Sequence, residues 1–404
     1  MLYDLHELQR SFLAPLAAFT DSGSQLFSNP YSPLAYTPLS RQLAATYELV
    51  HRLGKDYTKP AWNIPQVRIG ARDVPVTEEV ALERPFCRLL HFRRETRRHD
   101  PRVLLVAPLS GHHATLLRDT VRTLLAQHDV YVTDWIDARM VPAADGTFGL
   151  DDYVRYVQDF IRHLGPDVHV ISVCQPTVPV LAAVSLLASE DASCQPRTMT
   201  MMGGPIDCRK SPTQVNRLAT TKPYSWFEDN LIYRVPPRYP GAGRKVYPGF
   251  LQHTGFVAMN PDRHLRSHHD FYLHLLRGDN SDAEAHRRFY DEYNAVLDMP
   301  AQFYLDTIRT VFQEFRLPRG NWVVNGWRVD PAAIRRTALM TIEGALDDIS
   351  GEGQTHAAHD LCRSLPKSMR QVYTAPDCGH YGIFSGRRWR EQICPEIAAF
   401  IRSH

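Results

Sequence analysis

Cys174 sits in the run Ser172-Val173-Cys174-Gln175-Pro176, between a short apolar stretch at 168–173 and a longer one at 178–187. The first reads as a strand and the second as a helix. A thiol on such a strand-to-helix turn suits nucleophilic chemistry, because a helix N-terminus and a neighbouring histidine both favour the reactive thiolate. Burial as a small apolar residue is the competing use of a free cysteine. Two other segments decide between these uses. Asp347 lies in Glu343-Gly344-Ala345-Leu346-Asp347-Asp348-Ile349-Ser350, just after a strand expected at 338–342. His380 lies in Cys378-Gly379-His380-Tyr381-Gly382, just after a strand expected at 371–374. A nucleophile, an acid and a histidine, each following a strand and in that chain order, are the set that acyl transfer needs.

The turn departs from the common G-x-S-x-G pattern. Ser172 replaces the first glycine, and Pro176 takes a position where a proline of the first helical turn is tolerated. The spacing Gly344-x-x-Asp347 favours Asp347 as the acid, with Asp348 expected to be solvated or to cap the loop. Charge developing on the attacked carbonyl requires two backbone N–H donors. Gln175, directly after the nucleophile, should supply one, and Ser110 or Gly111, after the strand at 103–107, the other. The pair His112-His113 and the set His264, His268 and His269 lack the spacing of the three or four convergent ligands that zinc requires, so no metal is expected. No phosphate-binding or dinucleotide glycine pattern is present.

These loops need a scaffold, and the sequence describes one. Strands expected at 76–82, 87–92, 103–107, 130–133, 168–173 and 199–202 alternate with helices at 114–127, 154–164 and 178–187. Later strands at 338–342 and 371–374 alternate with helices at 355–364 and 388–402. The alternation predicts an α/β fold with a mostly parallel, doubly wound sheet. Residues 205–335 interrupt it with prolines, aromatics and helical patterns at 269–276, 285–297 and 303–315. They read as a large, mainly helical cap inserted before the last two strands, over the strand ends where open α/β sheets bind ligands. The core would then be 66–204 with 336–404. Within the cap, Trp226, Phe227 and Tyr233 are candidates to line an apolar cleft for substrate.

Residues 1–65 stand outside this core. Leu2, Leu5, Leu8, Phe12, Leu13 and Leu16 form an apolar stripe at helical spacing, suited to packing on the cap or to attachment to a lipid or polymer surface. The proline-rich stretch 30–75 reads as irregular. Lys+Arg number 46 against 44 Asp+Glu among 404 residues, so no basic surplus points to nucleic acid. Seven scattered cysteines without a CxxC pair fit free thiols in a reducing compartment. The start, MLYDLHELQR, lacks a basic and then apolar leader, and no apolar run is long enough to span a bilayer. A cytoplasmic protein is expected.

The segments VISVCQPTVPVLAAVSLL, EGALDDISG and CGHYGIFSGRRWR closely resemble the intracellular poly(3-hydroxybutyrate) depolymerases. These are polyhydroxyalkanoate depolymerases with a cysteine nucleophile in the α/β-hydrolase superfamily. MLYDLHELQR, YSWFEDNLIYRVP and RFYDEYNAVLDMPAQFYLDTI resemble them too, so the likeness covers essentially the whole chain. It implies cleavage of stored amorphous polyester at a granule surface into 3-hydroxybutyrate oligomers or monomers. Cys174 would be nucleophile, Asp347 acid and His380 base. No cofactor is implied, coenzyme A is an alternative acyl acceptor to water, and a homo-oligomer is compatible with the sequence. Polyester synthases share the three residue types, but they resemble G-x-C-x-G at the turn and tend to carry Asp-His-Ile where this chain has Asp347-Asp348-Ile349. A small-ester or thioester hydrolase and a non-catalytic granule-coat protein are the remaining alternatives.

Overall fold

The structure is a computed structural model that describes residues 2–259 and 261–404. In chain order the strands of the first half are β1 (Gln66–Ile69), β2 (Arg72–Arg84), β3 (Cys87–Arg94), β4 (Arg102–Val106), β5 (Asp129–Trp135), β6 (Val168–Val173) and β7 (Thr198–Met202). Three short strands follow, β8 (Tyr233–Arg234), β9 (Lys245–Tyr247) and β10 (Met299–Pro300), then a hairpin, β11 (Val323–Val324) and β12 (Trp327–Arg328). The last two are β13 (Ala338–Gly344) and β14 (Arg370–Ala375). Nine of these make one sheet in the order β1-β2-β3-β5-β4-β6-β7-β13-β14. The first three strands are antiparallel to their neighbours, and β5-β4-β6-β7-β13-β14 run parallel. The expected fold class, α/β with a mostly parallel sheet, is the one observed.

Burial explains which strands are central. Every residue of β6 and of β13 is buried, as a strand covered by helices on both faces requires, whereas the edge strand β14 alternates. The covering helices of the core include α3 (Arg118–Leu124), α4 (Leu150–Leu164) and α5 (Thr177–Ser189). In α4, Val154, Val157, Phe160, Ile161 and Leu164 form the buried stripe. Its first turn is closed by Asp152, whose carboxylate accepts the Gly149 N–H at 2.8 Å, and its end by Gly165 at φ +83°. Helix α5 is buried from Thr177 to Leu187, so it needs no polar face.

Before the core lie α1 (Leu2–Ser28) and α2 (Ser40–Gly54), which pack on each other. The expectation of irregular chain at 30–75 is corrected here: α2, β1 and the start of β2 occupy it, because its prolines leave 40–54 uninterrupted. Between β7 and β13 lie α6 (Gln214–Thr221), α7 (Tyr224–Leu231), α8 (Gly249–Met259), α9 (Pro261–Arg277), α10 (Asn280–Asn294) and α11 (Ala301–Thr307). The helix expected at 303–315 is divided, with α11 giving way to a π-helical turn at Ile308–Gln313. No helix among the described residues is long and apolar enough to cross a membrane.

Candidate active site

Cys174 occupies the junction of β6 and α5 with φ +67°, a left-handed conformation that a side chain with a Cβ adopts at a cost. Two hydrogen bonds hold it there. Its N–H donates to the Met202 carbonyl at 2.7 Å, and its own carbonyl accepts from Thr177 N–H at 3.1 Å. The sharp turn needs small or closely fitted neighbours. Ser172 is buried, with its hydroxyl on the Thr200 carbonyl at 3.3 Å. A Cβ on Gly204 would fall 1.8 Å from Thr177 Oγ1, so only glycine lets the end of β7 pass the start of α5.

Asp347 and His380 come from the two strands beyond β7 in the sheet. His380 Nδ1 lies 2.7 Å from Asp347 Oδ2, with the two side chains only 4% and 1% exposed. The other carboxylate oxygen, Oδ1, accepts the N–H groups of Ile349 and Ser350, both at 2.9 Å. Asp347 is thus fixed from both sides, while Asp348 is exposed. The two loops are laced together: Leu346 N–H donates to the Cys378 carbonyl at 2.9 Å, and a Cβ on Gly344 would meet that carbonyl oxygen at 2.4 Å. Cys378 packs beneath this loop, where its sulfur would lie 2.7 Å from a Cβ at Gly382.

The charge of Cys174 also acts on the imidazole, which links Cys174, His380 and Asp347 in one chain. Burial alone would lower the basicity of His380, but the negative charges of Cys174 and Asp347 and the hydrogen bond to Asp347 raise its pKa well above the usual histidine range. A raised folded-state pKa means that protonation of His380 stabilises the fold. That contribution is complete below the ordinary histidine value of about 6.5 and is lost as pH rises through the raised one.

Two supporting features lay outside the sequence reading. Gly203, at φ +57°, sits against the pair, and a Cβ there would come within 3.2 Å of His380 Cε1 and 3.3 Å of Asp347 Oδ2. Its place after β7 was visible only as a strand stop. Glu343, buried within β13, gathers the N–H groups of Gly353, Thr355 and His356 at 2.7–2.9 Å and so shapes the loop that follows Asp347. A carboxylate inside an apolar strand was its signal.

The loop after β4 meets the Cys174 turn. Gln175 Oε1 accepts from Leu109 N–H at 3.4 Å, and Gly111, at φ +107°, gives its carbonyl to Leu297 N–H at 2.7 Å. Among the described residues, the backbone N–H groups of Gln175, Ser110 and Gly111 donate to no protein acceptor. His112 and His113 are buried, with pKa values lowered to about 4 and about 3 by desolvation.

The aromatic residues chosen from sequence are placed elsewhere. Phe227 is 1% exposed in a small core with Ala219, Leu305 and Ile308, so its ring offers no face to a ligand in this conformation. Trp226 packs edge-on against Phe227, with the Lys222 ammonium over its ring, and Tyr233 joins Tyr3, Val235 and Val246. The rings beside the site are others. Phe256 and Tyr293 pack on His112, Tyr293 stacks on Phe289, Phe289 meets Tyr381, and Tyr381 lies edge-on to His380. A cavity of about 660 Å³ between α9 and α10 has a mixed lining that includes Asp262, Arg266, His274 and His286 and contains no member of the Cys174–His380–Asp347 chain. Near it His274, Asp279 and Asp282 bring ligand atoms within 4.8 Å of one another, none of them a histidine singled out from sequence. Asp279 there caps α10 by accepting the Asp282 N–H.

A parallel sheet carrying a nucleophile-type turn after β6, an acid after β13 and a histidine after β14 defines the α/β-hydrolase class. A family model described as PHB de-polymerase C-terminus matches residues 203–404. The chain belongs to that family, and fold and family together make it an ester-bond hydrolase. Solved structures similar to it include a carboxylesterase of Nitrososphaera gargenis, 10% identical over 84% of this chain and 99% of that one, with a TM-score of 0.44. A monoacylglycerol lipase of Paleococcus ferrophilus is 12% identical over 76% of this chain and 96% of its own, with a TM-score of 0.43. No curated protein matches the chain.

Proposed function

We propose that this chain cleaves the ester bonds of amorphous poly(3-hydroxybutyrate) through a thioester on Cys174, working at the surface of storage granules in the cytoplasm. The observation that carries the reading is the buried Asp347–His380 pair, hydrogen-bonded at 2.7 Å and acted on by the charge of Cys174, with Cys174 in a left-handed turn at the head of α5. The thiolate adds to the ester carbonyl carbon, and Gln175 N–H with that of Ser110 or Gly111 takes up the negative charge on oxygen. Collapse breaks the C–O bond, and His380 passes its proton to the departing alkoxide. Water then adds to the thioester, giving its proton to His380, and the C–S bond breaks to release the acid and regenerate the thiolate with its imidazolium partner. Asp347 holds the ring by Nδ1 throughout. The thioester is equally open to another thiol, so coenzyme A is an alternative acceptor.

Incubation with protein-free amorphous poly(3-hydroxybutyrate) particles, with and without coenzyme A, tests the reading by product analysis. Free 3-hydroxybutyrate or its short oligomers are expected without coenzyme A. Absence of soluble acids, or polymer growth from 3-hydroxybutyryl-coenzyme A, would overturn it in favour of an unrelated ester or a synthase.

A further inference from the structure

Thr355 is fully buried and follows the loop that carries Asp347. Its N–H donates to Glu343 Oε1 at 2.7 Å, so the carboxylate inside β13 fixes its backbone. Its hydroxyl is used twice on one distant residue. Oγ1 accepts the Gly204 N–H at 2.8 Å and donates to the Gly204 carbonyl at 3.0 Å. That carbonyl also accepts the Ile206 N–H at 3.0 Å, but among the described residues the Gly204 N–H has no acceptor besides Thr355. Strand β7 has ended at Met202, so no sheet ladder supplies these bonds. A hydroxyl can serve an N–H and a carbonyl together, and a methyl in its place would serve neither.

The segment held in this way touches every member of the site. Met202 gives its carbonyl to the Cys174 N–H at 2.7 Å. Gly203 donates its N–H to the Ile342 carbonyl at 2.9 Å and packs against His380 and Asp347. Gly204 closes on Thr177, whose N–H donates to the Cys174 carbonyl at 3.1 Å. Thr177 holds Gly204 by contact alone, since its own hydroxyl has no hydrogen-bond partner among the described residues. The Thr355 hydroxyl is therefore the side-chain link between the loop after Asp347 and the segment on which the Cys174 turn and His380 both rest.

We infer that Thr355 is a positioning residue for the reaction: through its hydroxyl on Gly204 it sets how far Cys174 stands from the His380–Asp347 pair. It acts through the backbone at 202–204 and not on the reacting atoms. The inference rests on the acyl transfer proposed at Cys174. Nucleophile, acid and base come from separate loops, and proton transfer between them is steep in distance, so a small drift of one loop is costly. Bonds to both polar groups of one residue fix its position and its rotation together, which contact alone does not.

Two near-isosteric variants separate this role from packing. Thr355→Val keeps the shape and removes both bonds, whereas Thr355→Ser keeps both bonds and removes a methyl. Each should lower the melting temperature by about a few degrees. On a soluble 3-hydroxybutyrate trimer, Thr355→Val should lose roughly tenfold to a hundredfold in kcat with KM within about twofold, and Thr355→Ser should stay within about threefold of native. NMR titration of the His380 ring should give a lower midpoint in Thr355→Val, because the Cys174 charge acts on it from farther away, and the native midpoint in Thr355→Ser. Where the valine variant does not fold, Thr355→Cys replaces it, with a weakly bonding thiol and a loss in kcat of roughly threefold to tenfold. Native kcat and a native His380 midpoint in Thr355→Val, or in its cysteine replacement, would overturn the inference. So would equal losses in Thr355→Ser and Thr355→Val, which would make packing the cause. Failure of the acyl-transfer reading is separate: it would appear as a native chain that leaves the trimer intact, and the His380 midpoint would still decide on Thr355.

Discussion

Cys174→Ala is expected to lower turnover of amorphous poly(3-hydroxybutyrate) by roughly ten-thousandfold or more while leaving the melting temperature within a few degrees of the native value. The loss is large because the covalent step disappears, and the donors proposed at Gln175 and the 110–111 loop would be left without a nucleophile to serve. Folding should persist because alanine occupies the same left-handed turn with the same Cβ, and the hydrogen bonds to Met202 and Thr177 are backbone bonds. The variant also changes His380. Removing the sulfur takes away one of the two negative charges that raise its pKa and leaves that of Asp347, so the imidazole should titrate lower than in the native enzyme. Isotope-edited NMR of the His380 ring reads this directly. An unchanged titration would mean that Cys174 is not the thiolate partner.

Asp347→Asn is expected to cost roughly a thousandfold in turnover, and Asp348→Asn less than about threefold. The argument follows from the two carboxylate oxygens. Oδ1 accepts two backbone N–H groups, from Ile349 and Ser350, so an asparagine would keep its carbonyl oxygen there and turn its NH₂ toward His380. Nδ1 would then have to accept rather than donate, which puts the ring proton on Nε2, the wrong tautomer for receiving one from a nucleophile or water. Asp348 is exposed, and the carboxylate that meets His380 is that of Asp347. Both variants should be measured on the soluble trimer and checked by melting temperature. A larger loss at 348 than at 347 would transfer the role.

Much of this was legible in the chain because the relevant signals are local. A continuous apolar run marked β4, since a strand covered on both faces needs no polar alternation. Cys174, Asp347 and His380 were legible as residues that follow strands in the right order. What escaped depends on contacts between distant segments. That Gly203 and Gly204 are required by His380 and Thr177 is a statement about three strands meeting, and no stretch of sequence contains it. The choice of Trp226, Phe227 and Tyr233 failed to find the rings beside the site because an aromatic in a helical segment reads the same whether it fills that segment's own core or faces a neighbouring loop. Phe256, Phe289, Tyr293 and Tyr381 were set apart only by where α8, α10 and the histidine loop lie. The stripe of α1 was read correctly as apolar, but its direction is fixed by Tyr3 and Glu7, whose partners lie more than 200 residues away.

The most direct measurement is mass spectrometry of the enzyme acid-quenched during turnover of the 3-hydroxybutyrate trimer, followed by mapping of the peptide that contains Cys174. The account predicts a 3-hydroxybutyryl or longer acyl group on Cys174, released by neutral hydroxylamine as a thioester is, and absent from Cys174→Ala. Turnover with no acyl group on Cys174 at any quench time, or with the acyl group on another residue and undiminished in Cys174→Ala, would contradict it.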